Sequence, residues 1–431
     1  MTSETVGIIG IIILIVLLFC RMKIGLAMAL VGFLGSAYLV GVDRSFGILS
    51  TVPYSTVAFY PVTVVPLFTL MGTLVSTTGV SGDLYDTAYK WAGHRKGGLA
   101  IATITACAAF AAITGSSVTG TVTMGKVALP EMKKYKYDMA LATGCIASGG
   151  TLGILIPPSL GFILYGIITE ESIGKLFMAG ILPGILLTLL FIIVVIIITT
   201  RSPEAGPPGP ATTIREKVKS LRNTWSMVAL FLLVLGGIYL GVFTPTEAGA
   251  IGAFGAIIIT LISRKLTRKN FINSLLETGQ ITALIMLLVV GSFIMMRFLS
   301  LSKLPNMLAE TVSSLAVPKY FIFAIIVVFY LILGMFLEIM SAIVLTLPFI
   351  YPVILALGFD PIWFGVIAVI LMEMGLITPP VGMNAFALAG VCDIPLNTIF
   401  RGNWPFVGAM MLCLIILTFF PVIATFIPSM M

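Results

Sequence analysis

The sequence predicts an all-α polytopic membrane protein made of two inverted repeats, each with one re-entrant hairpin and one broken transmembrane helix. The first observation is composition: the 431 residues are 59% hydrophobic and 10% charged, with a mean hydropathy of +1.15. A soluble fold needs more charge than this to cover its surface. The second is the motif Gly-x-x-x-Pro-Pro, found inside apolar segments at 153–158 and again at 375–380. The third is a constant offset between the two halves of the chain.

The offset is 222 residues (375 − 153), and it extends beyond the two motifs. Four of the ten prolines in residues 1–209 meet a proline at this offset, and Asp138 meets Asp360. Each half then contains five crossings and one hairpin. Because five is odd, the second half is inverted in the membrane, which is an arrangement common among secondary transporters.

The first repeat is assigned to residues 1–200. Long apolar runs predict membrane spans, which are called scaffold spans below, and an amphipathic stretch predicts a helix on the membrane surface. Basic residues on both sides of the next run predict a hairpin that enters and leaves by one face. The scaffold spans, surface helix, hairpin, broken span and closing span are predicted, in that order, at 5–78, 79–97, 98–135, 137–168 and 176–200.

The second repeat is assigned to residues 223–431. It follows a cytoplasmic linker at 201–222, which contains the sequence GPPGP and several basic residues. The offset predicts the same elements in the same order as in the first repeat. They are placed at 226–299, 303–316, 320–357, 361–391 and 404–427.

Charge and composition exclude several classes of protein. The net charge of +7 is accounted for by basic loops on the inner face, so we expect no nucleic-acid partner. Five scattered cysteines predict neither a disulfide framework nor a metal cluster. The single histidine, His94, lies in a basic loop, and no nucleophile–base pair is found near it. We therefore expect a protein that is not an enzyme.

The two Gly-x-x-x-Pro-Pro motifs are candidates for ion binding. Adjacent prolines remove backbone donors and end a helix, and we expect the nearby glycines to weaken it further. Carbonyls freed at membrane depth must face protein or a wet cavity, where they can bind a small cation. A simple kink is the alternative. The presence of the motif at matching positions of both repeats favours a cation site.

Over nearly its whole length the chain resembles the large membrane (M) subunit of tripartite ATP-independent periplasmic (TRAP) transporters. The resemblance rests on four motifs: GSSVTGTV at 115–122, GILIPPS at 153–159, TPTEAGAIGA at 244–253 and GLITPPVGMN at 375–384. It implies a permease subunit in a bacterial inner membrane that imports an organic acid, sialic-acid-like or C4-dicarboxylate, together with sodium ions. It also implies an elevator-type mechanism, in which hairpins and broken spans move against a scaffold.

The resemblance further implies which residues bind the ions and the substrate. Sodium ions are expected at Thr114, Ser116, Gly153, Ile156, Pro158, Gly334, Glu338, Gly375, Thr378 and Pro380. The substrate is expected at Ser117, Thr119, Ser159, Glu373 and Asn384. For the two carboxylates a structural hydrogen bond is the alternative, and for the serines and threonines it is helix packing. A further carboxylate, Glu247, follows a helix start and is expected to cap it.

Partners follow from the same resemblance. We expect a small membrane (Q) subunit on a separate chain, a periplasmic substrate-binding (P) protein, the organic acid itself and membrane lipid. The nearest alternative is a stand-alone sodium/dicarboxylate symporter that needs no binding protein. An intramembrane enzyme and a channel are more distant alternatives.

Overall fold

The computed structural model describes residues 2–314 and 317–431, and these residues form helices and connecting turns without a strand. The first half contains α1 (Ser3–Phe19), α2 (Ile24–Val40), α3 (Val42–Val57), α4 (Val64–Thr77), α5 (Val80–Ala92), α6 (Gly98–Thr114), α7 (Ser117–Lys134), α8 (Met139–Leu155), α9 (Leu160–Thr169) and α10 (Ile173–Arg201). The second half contains α11 (Ile214–Tyr239), α12 (Pro245–Ile262), α13 (Arg268–Ser302), α14 (Leu304–Ser314), α15 (Lys319–Phe336), α16 (Ile339–Ala356), α17 (Pro361–Leu376), α18 (Met383–Cys392), α19 (Leu396–Phe419) and α20 (Val422–Thr425).

Eight segments of the described chain are long and apolar enough to cross a membrane, which confirms the polytopic class. They are Tyr60–Thr77, Met139–Thr169, Ile173–Arg201, Pro245–Ile262, Arg268–Ser302, Lys319–Phe336, Ile339–Ala356 and Leu396–Phe419. Shorter apolar helices, among them α1, α2, α6 and α17, accompany these spans. Many large apolar side chains of α1, α2 and α11 are exposed, as expected for helices that face lipid.

Helix bounds follow the offset of 222 residues. Helix α7, moved by 222, covers 339–356, which are the bounds of α16. Moved in the same way, α6 and α8 coincide with α15 and α17 to within one residue at each end. Each half also packs on the other in the same way. Helix α8 packs on α19, and its counterpart α17 packs on α10. Likewise α2 packs on α13, and its counterpart α12 packs on α4.

Two tight turns form the tips of the hairpins. Helices α6 and α7 are joined by Gly115 and Ser116, and Gly115 has a φ of +59°, a conformation that favours glycine. Helices α15 and α16 are joined by Leu337 and Glu338. The sequence predicts tips at 114–121 and near 334–341, and both observed turns are shorter, with two residues each, because helix continues on each side.

Both predicted broken spans are interrupted at their prolines. Helix α8 ends at Leu155 and α9 begins at Leu160, while α17 ends at Leu376 and α18 begins at Met383. The Pro157–Pro158 and Pro379–Pro380 bonds are both cis.

The glycines before the first proline pair behave differently from our expectation. Gly149, Gly150 and Gly153 all lie inside α8, so they do not unwind it. They permit close packing instead: a Cβ on Gly149 would lie 2.8 Å from Cys107 Sγ, and one on Gly150 would lie 1.9 Å from Thr121 Oγ1. Close contact with the hairpin therefore offsets the poor helix propensity of glycine.

Other boundaries also differ from the sequence prediction. The closing span predicted at 404–427 begins earlier, as α19 (Leu396–Phe419), and the chain then turns into the short α20. The surface helix predicted at 79–97 is α5, which ends at Ala92. Helix α11 begins at Ile214, inside the stretch assigned to the linker, because Thr213 and Glu216 form a capping box there. The surface helix predicted at 303–316 is observed as α14 up to Ser314, and its last two residues lie outside the described chain. A second capping box, made by Thr244 and Glu247, starts α12, in agreement with the capping role expected of Glu247.

Candidate functional site

The first hairpin tip contacts the first helix break on both of its sides. A Cβ on Gly153 would lie 2.8 Å from the carbonyl oxygen of Ser116, and a Cβ on Gly115 would lie 2.7 Å from the carbonyl oxygen of Pro158. The backbones of the tip and the break are thus in direct contact. The structure brings together Thr114, Ser116, Gly153 and Pro158, and Ile156 lies in the break between the last two.

The second hairpin makes the same kind of contact with the second break. A Cβ on Gly375 would lie 2.3 Å from the carbonyl carbon of Gly334, and one on Gly334 would lie 3.0 Å from the carbonyl oxygen of Met372. The Thr378 hydroxyl donates to the carbonyl of Met374 at 2.5 Å. Gly334 and Gly375 are therefore adjacent, as the resemblance implies for a shared ion site, and Pro380 is exposed beyond them.

One carbonyl freed at the second break is already satisfied. Asn403 Nδ2, on α19, donates to the carbonyl oxygen of Ile377 at 2.8 Å. Asn403 is buried, and its Oδ1 has no hydrogen-bond partner in the described chain. Asn403 thus holds the unwound segment in place, and the carbonyls of Met374 and Gly375 also accept hydrogen bonds, from the backbone N–H groups of Ile377 and Thr378.

A cavity of about 160 Å³ separates the two hairpin tips from helices α4 and α13. The hairpins and broken spans, which the resemblance implies to move, contribute six of the residues that line it: Thr114, Ser116, Thr119, Leu160, Glu338 and Met340. The other side adds Thr69, Gly72, Thr73, Ser76, Glu277, Ile281 and Leu284. The cavity thus contains hydroxyl groups and two carboxylates, and no lysine or arginine is among its lining residues.

Sequence reasoning missed the scaffold wall of this cavity. Thr69, Thr73 and Ser76 are spaced as i, i+4 and i+7, so they lie on one face of α4. That polar stripe in an apolar helix is the signal that could have identified the wall. Glu277 on α13, a carboxylate in an apolar segment, is a second such signal.

The scaffold wall is held together by hydroxyl pairs. The Oγ1 atoms of Thr73 and Thr278 are 3.0 Å apart, and Thr77 Oγ1 lies 2.9 Å from Ser274 Oγ. Both pairs join α4 to α13. These contacts fix the two helices relative to each other beside the cavity.

Three of the predicted substrate residues form a buried hydrogen-bond network. The Ser117 hydroxyl donates to Glu373 Oε2 at 2.8 Å and accepts from Asn384 Nδ2 at 2.7 Å. Each of the three residues is at most 1% exposed. Glu373 Oε1 and Asn384 Oδ1 have no hydrogen-bond partner among the described residues.

The remaining predicted substrate residues are divided between cavity and core. Thr119 lines the cavity. Ser159 is fully buried, where its hydroxyl accepts from the backbone N–H of Phe162 at 3.3 Å and caps α9. Thus Thr119 faces the cavity, whereas Ser117, Ser159, Glu373 and Asn384 are not among the residues that line it.

The oxygen-rich tips fit a hard cation better than a transition metal. The candidate ligands are backbone carbonyls and hydroxyl groups, which suit ions that prefer oxygen. No group of three or more His, Cys, Asp or Glu side chains that could hold a metal ion is found in residues 2–314 and 317–431. Sodium as a transported ion is compatible with this donor set.

Comparison with known proteins identifies a family for this architecture. Residues 11–423 match the family described as tripartite ATP-independent periplasmic transporter, DctM component. The chain is similar to the C4-dicarboxylate TRAP transporter large permease protein DctM of Pseudomonas aeruginosa, with 35% identity over 87% of this chain and 88% of that protein. It is also similar to the sialic acid TRAP transporter large permease protein SiaM of Vibrio cholerae, with 30% identity over 96% of each chain.

A solved structure shares the fold. The YdaH transporter of Alcanivorax borkumensis superposes with a TM-score of 0.67 over 90% of this chain and 89% of that chain. Its sequence identity is 15%, so this likeness concerns the fold alone.

Proposed function

The chain belongs to the DctM family of tripartite ATP-independent periplasmic transporters, and from this premise we propose that it couples the import of an organic acid to sodium ions. As a member of this family it is a multi-pass inner-membrane transport permease and not an enzyme. Its relatives carry the names of C4-dicarboxylate and sialic acid transporters. The substrate we propose is an organic acid of these classes.

The paired contacts between hairpin tips and helix breaks are the observation that carries this proposal. In each repeat a glycine of the broken helix packs on the backbone of a hairpin, Gly153 on Ser116 and Gly375 on Gly334. Carbonyl oxygens of both partners then lie within one small region. We propose one sodium ion at each contact, with ligands from the tip and from the break.

The charges in the cavity suggest an order of binding. Glu277 and Glu338 both line it, and no cationic side chain does. Like charges repel one another, and they do so more strongly beside a protein than in bulk water. An anionic substrate is therefore disfavoured until cations have entered, so sodium binds first and the acid second.

The size of the cavity favours a small substrate. A volume of about 160 Å³ suits a C4-dicarboxylate more readily than a sialic acid. The hydroxyls of Ser116, Thr119, Thr73 and Ser76 can donate to its carboxylates. Sodium ions at the two tips supply the positive charge that the side chains lack.

Transport by this arrangement requires the hairpins to move against the scaffold. We propose that α6–α9 and α15–α18 carry the ions and the substrate as an elevator, past a wall formed by α4 and α13. Each net positive charge that moves inward gains about 2.3 kcal/mol per 100 mV. If the co-transported sodium ions carry more positive charge than the substrate carries negative charge, import is driven by the sodium gradient and by the membrane voltage.

Reconstitution tests the proposal. Proteoliposomes that contain the chain and a small membrane (Q) subunit should accumulate the acid when a periplasmic substrate-binding (P) protein and an inward sodium gradient are present. Potassium in place of sodium should abolish accumulation. Uptake without the binding protein would instead identify a stand-alone symporter, and flux that neither saturates nor depends on sodium would identify a channel.

A further inference from the structure

A groove of about 570 Å³ lies between α11 and α12, away from the hairpins, and the transport cycle leaves it without a role. Two small residues, Ala229 and Gly255, are among those that line it. Its walls are apolar and include Leu233, Ile258 and Ile262, which are 50%, 39% and 78% exposed. The groove is thus a long apolar trough, open on one side.

One end of the groove is polar and basic. Arg222, Ser226, Ser263 and Lys265 line it there, together with Trp225. Lys265 Nζ pairs with Asp83 Oδ2, so its charge is compensated. Arg222 is exposed and has no salt bridge to any residue that the structure describes. The end of the groove therefore has one uncompensated guanidinium beside two hydroxyl groups.

The groove has its basic residues at one end and its apolar residues along the rest, which matches the headgroup and acyl chain of a lipid. Trp225 and Leu233 are eight residues apart on α11, which corresponds to roughly 12 Å of helix, and Arg222 lies just before a 53° bend in that helix. Arg264, Lys265, Arg268 and Lys269 lie at the same end, where α12 turns into α13. Trp225 is 63% exposed beside Arg222, a position that is typical of a residue at the level of lipid headgroups.

We propose that this groove binds one anionic phospholipid. The phosphate would accept hydrogen bonds from the Arg222 guanidinium and from the hydroxyls of Ser226 and Ser263, and an acyl chain would lie along Ala229 and Gly255. Charged donors at the basic end of a helix pair are a known kind of site for anionic headgroups.

A helix of another protein fits the groove less well. Such a helix would cover the guanidinium of Arg222 with apolar surface, and a charge buried without a partner is costly. A lipid phosphate neutralises it and remains hydrated. The site also adjoins the Asp83–Lys265 pair, which ties the surface helix α5 to the scaffold. A bound lipid would thus stabilise the joint between these two parts.

Native mass spectrometry of the full-length chain, with any subunit that co-purifies, tests the site. The probes are phosphatidylglycerol, phosphatidylcholine with the same acyl chains, and inorganic phosphate alone. We expect the wild type to retain phosphatidylglycerol in preference to phosphatidylcholine. Arg222→Gln should weaken that preference about fivefold, because one surface arginine contributes about 1 kcal/mol of lipid binding. Arg215→Gln, on the same helix outside the groove, should leave it unchanged.

Three further variants separate loss of the site from misfolding. Arg222→Lys keeps the charge and should keep most of the preference. Ala229→Leu fills part of the groove and should release the lipid, whereas Val228→Leu, outside the groove, should leave lipid binding unchanged. Equal effects of Arg222→Gln and Arg215→Gln, retention of inorganic phosphate alone at this site, or a cross-link from position 229 to a subunit helix would each overturn the proposal.

Discussion

The hydroxyl of Ser117 donates a 2.8 Å hydrogen bond to Glu373 Oε2, which joins the first residue of α7 to the last turn of α17, 256 positions away. Asn384 Nδ2 donates to the same hydroxyl. The three residues belong to both repeats, so the network ties the first hairpin to the second broken helix. Because all three are buried, the contact cannot be replaced by water.

Ser117→Ala should destabilise the protein. It removes the donor to a buried carboxyl group, and a buried polar group without a partner costs about 1–3 kcal/mol. Thermal unfolding in detergent, followed by scanning fluorimetry, measures the effect. Ser148→Ala is the matched control, since Ser148 is equally buried and its hydroxyl has no partner in the described chain. A control as unstable as Ser117→Ala would count against the network.

Glu277→Gln should make binding of the acid depend less on prior binding of sodium. With one carboxylate removed from the cavity, repulsion of the anionic substrate falls, so binding of the acid without sodium should strengthen about fivefold. That change corresponds to about 1 kcal/mol. Isothermal titration of the acid at zero and at saturating sodium measures it. Glu310→Gln, exposed on α14, removes the same charge elsewhere and should change nothing. An identical sodium dependence in Glu277→Gln and the wild type would contradict the proposed order.

A cross-link between scaffold and hairpin should stop transport. Ser292 Oγ, on α13, donates to the carbonyl oxygen of Val344 on α16 at 3.2 Å. Oxidation of the double variant Ser292→Cys, Val344→Cys should abolish uptake, and reductant should restore it. The pair Thr77→Cys, Ser274→Cys lies within the scaffold and should stay active when oxidised. Undiminished uptake by the first pair after complete cross-linking would exclude an elevator.

Much of the helical plan could be predicted from the sequence, because lipid imposes strong rules on segment length and on backbone hydrogen bonds. The proline pairs predicted the positions of both breaks, and the 222-residue offset predicted which helices of the two halves correspond. The glycines of α8 were misjudged because their partners lie on another helix. Gly153, for example, is explained only by the backbone of Ser116, which the sequence does not place beside it.

The candidate site was less predictable than the fold. The motifs correctly predicted which backbone segments lie next to each other, as the contact between Gly334 and Gly375 illustrates. They did not reveal which side chains face the cavity and which are buried, since both groups occur in the same polar tips. Ser116 and Ser117 are neighbours, and yet the first lines the cavity while the second is bonded to Glu373. The scaffold wall, which includes Glu277, could be recognised only once the packing of α4 on α13 was known.

The number of sodium ions bound by purified variants tests the central claim most directly. A Cβ at either Gly153 or Gly375 would clash with the hairpin backbone, whereas Gly408 on α19 has open space around it. We expect two ions in the wild type and in Gly408→Ala, one in Gly153→Ala, one in Gly375→Ala, and none in the double variant. Thr378→Val, a milder change at the second break, should also bind one. Two ions in well-folded Gly153→Ala and Gly375→Ala would contradict the account.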